Sequence, residues 1–400
     1  MRSPRFVGPI VSLLALACGG GMGPTAVLPP GPTSGYLEIA IGLHHGCGIL
    51  AGEGTFCWGR NAVGELGNGT VQSSMSPVLV TGGSDFLDLS LGANHSCGLT
   101  SGGTGYCWGA GGQGALGVGD LADHAVPTPI EGGLTFRSID AGGAFSCGLD
   151  VAGNAWCWGA NAQGQLGDGT RTARAAPVRV AATAELVAIA AGAGHTCAVD
   201  AGGKAWCWGG NGHGQLGAGT TETRLEPVPA RGRTDYVGIA AGSSHTCALA
   251  VDGSTWCWGE NVAGQLGAGR SDPGHIGTTE PVRANVPLPL VQIAAGAGHT
   301  CGLAVQGGVY CWGWNVDGQI GDGVLGDRAV PAKVATPERF VRIAVGLAAS
   351  CGLRSDGRAW CWGRNEDGEL GDGKGIHHTF PAPVNEPRTR LAEPSRPGIL

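Results

Sequence analysis

Fourteen of the fifteen cysteines fall into seven pairs, and two chemistries compete for them. Cys57, Cys107, Cys157, Cys207, Cys257, Cys311 and Cys361 each open a Cys-Trp-Gly triplet. Ten residues before each stands a companion: Cys47, Cys97, Cys147, Cys197, Cys247, Cys301 and Cys351. Zinc is one use for such thiols, because five copies carry a histidine two residues before the first cysteine: His45, His95, His195, His245 and His299. Structural zinc sites, however, favour close Cys-x-x-Cys pairs, and none occurs here. The third and seventh copies keep both cysteines while replacing the histidine with Phe145 and Ala349. Disulfides explain the pairs better, and the histidines are expected to satisfy backbone groups between repeats. No metal and no cofactor is expected.

Other chemistry is hard to separate from the repeat. Asp168, Asp322 and Asp372 share a column with Asn68, but other copies place Val118, Ala218 and Ala268 there, which suits turn stabilisation. One carboxylate per turn falls far short of the oxygens calcium needs. No Ser-His-Asp order stands out, so no catalytic residue is assigned. Trp58, Trp108, Trp158, Trp208, Trp258, Trp312 and Trp362 follow the second cysteine, and strand alternation points them away from it to pack between repeats. Trp156, Trp206, Trp256 and Trp360 share a second column with Phe56, Tyr106 and Tyr310, also read as packing. Trp314 fits neither column and replaces Arg60, Ala110, Ala160, Gly210, Glu260 and Arg364. Beside it in divergence stands a four-residue insertion within Arg270–Gly277. Arg270, Asp272, His275 and Trp314 are therefore the candidate partner contacts, since loops on a rigid frame can specify a partner without disturbing the fold.

The elements that must position these residues recur with the same period. Successive Cys-Trp-Gly triplets are 50 residues apart, with one step of 54. Each repeat holds four strand-like pieces, such as YVGIAAG at 236–242, HTCAL at 245–249, WCWG at 256–259 and a short PVxV piece. A three-residue loop between the second and third pieces would put Gly103, Gly153, Gly203, Gly253, Gly307 and Gly357 at its last position. Positive φ is cheap for glycine there, and the paired cysteines would stand directly opposite on one face. The first repeat departs, with Gly52-Glu53. Seven such units in an open stack would expose apolar edges, whereas a ring has no ends. The expected fold is all-β: a seven-bladed β-propeller with four antiparallel strands per blade and one intra-blade disulfide per repeat. The frame of the repeat relative to the blade stays open.

Composition agrees with a turn-rich fold: 78 glycines and only 14% charged residues. The formal charge of −7, with no basic run, argues against a nucleic-acid partner. Residues 1–17 read as a signal peptide, with Arg2 and Arg5 ahead of an apolar stretch too short to span a bilayer. Cys18 follows Ala15-Leu16-Ala17 in a setting similar to a bacterial lipoprotein leader, which makes it the candidate lipidated residue. Residues 18–35 form a glycine-rich tether, 36–384 the propeller, and 385–400 an aperiodic tail expected to be disordered.

The frame Ala-Gly-x-x-His-Thr-Cys-x-Leu, then Gly-x-x-x-x-Cys-Trp-Gly-x-Asn-x-x-Gly-Gln-Leu-Gly-x-Gly, resembles the regulator of chromosome condensation repeat family over about residues 36 to 384. The resemblance implies a seven-bladed toroid whose faces bind proteins, and the cysteine pairs look like an exported bacterial branch. The founding activity, nucleotide exchange on a nuclear GTPase, does not suit an exported acidic chain. The expectation is a monomeric, non-enzymatic cell-envelope lipoprotein whose propeller face binds a protein or a surface polymer, with the membrane reached through the lipid anchor alone. Secretion without an anchor is the alternative localisation. The alternative function is an exported carbohydrate-active lyase or hydrolase in the central channel, which would need two or more carboxylates clustered with His or Arg. Intact-mass analysis of the exported protein is expected to show an acyl-modified Cys18 as the new first residue; an unmodified terminus would place the protein in the secreted class.

Overall fold

The computed structural model describes residues 30–82, 86–272 and 277–387. The leader, Cys18, most of the tether, His275 and residues 388–400 lie outside the described residues. The described strands form seven four-stranded antiparallel sheets, and no helix is present among the described residues. Each sheet takes four consecutive strands in chain order, so repeat and blade share one frame. Blade 4 is representative, with strands Leu186–Ala191, His195–Asp200, Ala205–Gly209 and Arg224–Pro229 from the axis outward. The inner three strands are largely buried and rich in alanine, valine and aromatics, whereas the outermost strand is half-exposed.

The second and third strands form the hairpin that the cysteine spacing implies. Cys197 faces Cys207 directly, and the other six pairs share this register. All seven pairs are disulfides, with Cα atoms 4.0 to 4.1 Å apart. In six blades the loop glycine has positive φ, 82° at Gly203. Blade 1 instead uses Gly52 and Gly54.

Packing between blades repeats as regularly as the hairpin. Each disulfide face meets the tryptophan face of the following blade: Cys147 and Cys157 pack with Trp208 and Trp206, and Cys197 and Cys207 with Trp258 and Trp256. The same pairing closes the ring, where Cys351 and Cys361 of blade 7 cover Phe56 and Trp58 of blade 1. No strand is exchanged at this seam. Its backbone bonds, Tyr36 N to Gly357 O and Gly373 N to Met75 O, copy those between other blades, such as Phe136 N to Gly103 O and Gly69 N to Ala125 O.

The buried histidines serve this contact, through a hydroxyl and not through the backbone directly. Nε2 of His195 lies 2.9 Å from the Thr246 hydroxyl of the next blade, and His45, His95, His245 and His299 reach Ser96, Ser146, Thr300 and Ser350 likewise. The Thr246 hydroxyl in turn donates to the Gln215 carbonyl at 2.9 Å. Its single proton is thus committed, so His195 must donate from Nε2, and with nothing to accept a second proton's hydrogen bond at Nδ1 the ring stays neutral. Burial enforces this, pushing His195 down to about 3 and His245 to about 4. A histidine that is neutral when folded but free to charge when unfolded contributes stability that is full above about pH 6.5 and is lost as the pH falls toward its folded value. Blade 3 shows the substitute: Phe145 fills the site, and Thr196 still donates to Gln165. His195→Phe is therefore expected to stay within about 1 kcal/mol of the parent at pH 8. Denaturant titrations from pH 8 to 4 should show a shallower loss of stability by about one proton, and an unchanged slope would refute the linkage.

Candidate functional site

Two faces and a channel remain once the blades are packed. The innermost strands and the turns that follow them line an axial cavity of about 430 Å³. Most of the wall is alanine, glycine, isoleucine and leucine, but polar groups interrupt it unequally. Glu38 of blade 1, Asp88 of blade 2, Gln292 of blade 6 and Arg342 of blade 7 share one column, where blades 3 to 5 place Ser138, Ala188 and Gly238. Asp140 is held by the Ser90 hydroxyl at 3.0 Å and by the Ala191 amide at 2.6 Å, so it links three neighbouring blades. Gln292 likewise brackets the backbone of Ile343, donating to its carbonyl and accepting from its amide. Burial pushes Glu38 up to about 8, helped by the charge of Asp88 and opposed by Arg342. Burial also raises Asp88 and Asp140 to about 6, the latter against its two hydrogen bonds. A protonated Glu38 beside carboxylates and a guanidinium is chemically able to act as an acid.

The loop face carries the long connections between third and outermost strands. Six of the seven are built on one asparagine, with Gly111 in its place in blade 2: Asn161 donates to Thr170 O and Thr172 O and accepts from Leu166 N. The three column aspartates brace the same turns, Asp168 accepting from the Thr170 amide and from Arg174. On this common frame blade 6 differs in its tips. Val316, Val324 and Leu325 are 52%, 51% and 60% exposed, and Val330 of the outermost strand stands beside them in the chain. Blade 4 places Gly212, Thr220, Thr221 and Glu226 in those columns. The patch continues onto blade 7, where the Phe380 ring lies against Gly323 and Ile376 is 63% exposed. Val262 of blade 5, Val71 of blade 1, and Leu121 and Val126 of blade 2 are exposed in the same columns, but blade 6 alone has an apolar residue in all four, and such a concentration marks a candidate contact surface.

Beside the patch, the seam gathers titratable groups. His44 Nδ1 is 3.0 Å from Asp367 Oδ2, and the buried Glu369 carboxylate completes a group of three ligating atoms within 4.8 Å of one another. Arg60 and Arg364 stand around it, each near the glutamate of its own blade, Glu65 at 3.9 Å and Glu369 at 3.4 Å. His377 links blade 7 to Asp317 of blade 6 at 3.3 Å. Burial raises Glu369 to about 7 and lowers His44.

The sequence matches the model of the RCC1-like domain over residues 22–287 and again over 132–393. The chain belongs to the RCC1-like domain family. Among curated proteins none matches it. Of solved structures, Prp20p from Saccharomyces cerevisiae is similar at 24% identity and a TM-score of 0.75, covering 88% of each chain. Human WBSCR16 matches at 20% identity and 0.74, over 83% of this chain and 94% of that one. The ectodomain of the Arabidopsis thaliana receptor kinase ACR4 matches at 19% and 0.52, over 88% and 98%. At these identities the likenesses establish the fold alone.

Within this family fold, the described candidates Arg270, Asp272 and Trp314 share the loop face. Arg270 is exposed, and its loop is pinned to blade 6 by the bond from Gly269 N to Ala329 O, next to Val330. Asp272 is half-buried and donates its amide to the Asn261 carbonyl. Trp314 is half-buried against Gly298, and His275 lies outside the described residues. Sequence reasoning missed the blade 6 valines, the seam cluster and the channel column. Column-by-column comparison of the copies contains all three signals. The carboxylate cluster with His or Arg, required by the enzyme alternative, is present at the seam, while in the channel Asp88 and Arg342 are in electrostatic reach of Glu38. For Glu38, a raised folded value means stability that is present below its unfolded value and lost as the pH rises through about 8. Glu38→Gln should therefore gain on the parent between about pH 5 and 8 in thermal unfolding scans, and parallel curves would disprove the burial.

Proposed function

We propose that this chain is a non-enzymatic, lipid-anchored envelope protein whose loop face binds a protein partner. The observation that carries the reading is the apolar sector of Val316, Val324, Leu325, Ile376 and Phe380, flanked by Trp314 and the Arg270 loop. A rigid disulfide-linked ring presents these side chains already ordered, so binding costs little further entropy. The seven disulfides suit an oxidising compartment outside the cytoplasm. Solved relatives are consistent with protein binding: Prp20p was described with its binding to Gsp1p and histones, and yeast RCC1 with bound Kap60. The acidic balance and the setting outside the cytoplasm argue for a different partner here.

A second reading has one observation in its favour, the carboxylates Glu38 and Asp140 in the wall of the channel, with Asp88 and Arg342 in electrostatic reach of Glu38. Under it the protein is an exported carbohydrate-active lyase or hydrolase. Affinity capture from envelope extracts separates the two. A variant grafting blade 4 residues onto blade 6, Val316→Gly, Val324→Thr and Leu325→Thr, should fold normally and lose the captured protein. Capture unaffected by this graft and by changes at Arg270 and Asp272 would reject the chosen surface. Glycan cleavage abolished by Glu38→Gln would instead establish the enzyme, and binding to purified envelope polysaccharide would replace the protein by a polymer.

A further inference from the structure

The seam cluster differs from every other blade interface in a way that packing does not explain. Each interface brings together a loop residue, its neighbour two positions on, and a turn residue of the next blade. Between blades 3 and 4 these are Gln163, Gln165 and Gly194, with the Gln163 side chain against Gly194. At the seam they become Asp367, Glu369 and His44, the one group of three clustered ligating side chains among the described residues.

The polar atoms there are poorly satisfied. In the ordinary loop the glutamine accepts from the amide two residues earlier, as Gln165 does from Gln163 at 2.9 Å. Glu369 Oε2 reproduces that bond with Asp367 N at 2.9 Å. Its other oxygen, Oε1, is buried and accepts no hydrogen bond, on a side chain only 1% exposed. His44 Nδ1 is also buried without a hydrogen bond, although Asp367 Oδ2 is 3.0 Å away. Two buried atoms that have ion-pair neighbours but no hydrogen bond, with a carboxylate, all within 4.8 Å, form a set of donors that a cation between them would satisfy. Of the nearby guanidiniums, Arg60 pairs with Glu65, while Arg364 reaches Glu366 at 2.6 Å and also stands 3.4 Å from Glu369 Oε1 without hydrogen-bonding it.

We propose that the seam is a binding site for a first-row divalent metal ion, with His44 Nδ1, an Asp367 oxygen and Glu369 Oε1 as its protein ligands. One imidazole nitrogen with two carboxylate oxygens suits zinc, leaving a position for water. His44 belongs to blade 1 and both carboxylates to blade 7, so the ion would clasp the two ends of the ring. Its binding energy would then appear as resistance to unfolding.

The test uses the exported, disulfide-intact protein stripped with a chelator, then titrated with zinc chloride by calorimetry and by thermal unfolding. The parent is expected to bind one zinc per chain and to unfold at a higher temperature with it. Glu369→Gln restores the residue found at Gln165, Gln215, Gln265 and Gln319 and preserves the loop bond, so it should fold and lose both effects. His44→Asn, the residue type of Asn94, gives the same outcome by an independent route and serves if the first variant is unstable. His377→Ala should leave both effects intact. Zinc binding unchanged in Glu369→Gln and His44→Asn, abolished instead by His377→Ala, or absent from the parent, would overturn the proposal.

Discussion

One backbone carbonyl per blade organises this molecule. The carbonyl of Gln215 accepts both the Trp258 indole N–H at 2.8 Å and the Thr246 hydroxyl at 2.9 Å, two donors from the following blade. Glu65, Gln165, Gln265, Gln319 and Glu369 offer their carbonyls to Trp108, Trp208, Trp312, Trp362 and Trp58 in the same way. Leaving a buried indole N–H without such a partner is costly, so the bond favours one register of the large apolar face against its neighbour. The constraint also explains the glycine two residues on. At Gly217 φ is +68°, and a Cβ would stand 2.9 Å from the Trp258 nitrogen. Blade 2 offers the variation: Trp158 finds no acceptor, while Ser146 still donates to Ala115.

Because the clasp uses backbone acceptors and buried side chains, it is indifferent to what the loop tips carry. Blade 6 can expose valine and leucine where blade 4 has threonine and glycine, with the same asparagine bonds beneath both. The innermost strands vary just as freely in one column, from alanine and glycine to Glu38 and Arg342. Stability and specificity are thus divided between different residues of each repeat. The division lets the loops of one sector change without cost to the others.

The hairpin, the disulfides and the ring were legible in the sequence because each depends on local spacing repeated seven times. Ten residues between cysteines, with glycine at the third loop position, leave little choice of register. The histidines were legible as structural, but not their hydroxyl partners, which lie about 50 residues away in the chain and meet only across a blade boundary. The seam cluster was hidden for the same reason: His44 and Glu369 are at opposite ends of the fold. The histidines whose spacing from cysteine invited a zinc reading are committed to hydrogen bonds instead, and His44 stands outside that column. Trp314 was visible because it breaks a column, whereas Val316 and Leu325 look unremarkable until burial shows that nothing covers them.

Strand order 1-2-3-4 within every sheet has an evolutionary consequence. A duplication of one fifty-residue stretch inserts a finished wedge, complete with its own cross-link and both halves of the clasp. Rings that interleave their first and last strands do not share this freedom. With no strand shared across the closing seam, every junction between wedges has the same geometry, so a circularly permuted ring would keep every sheet whole.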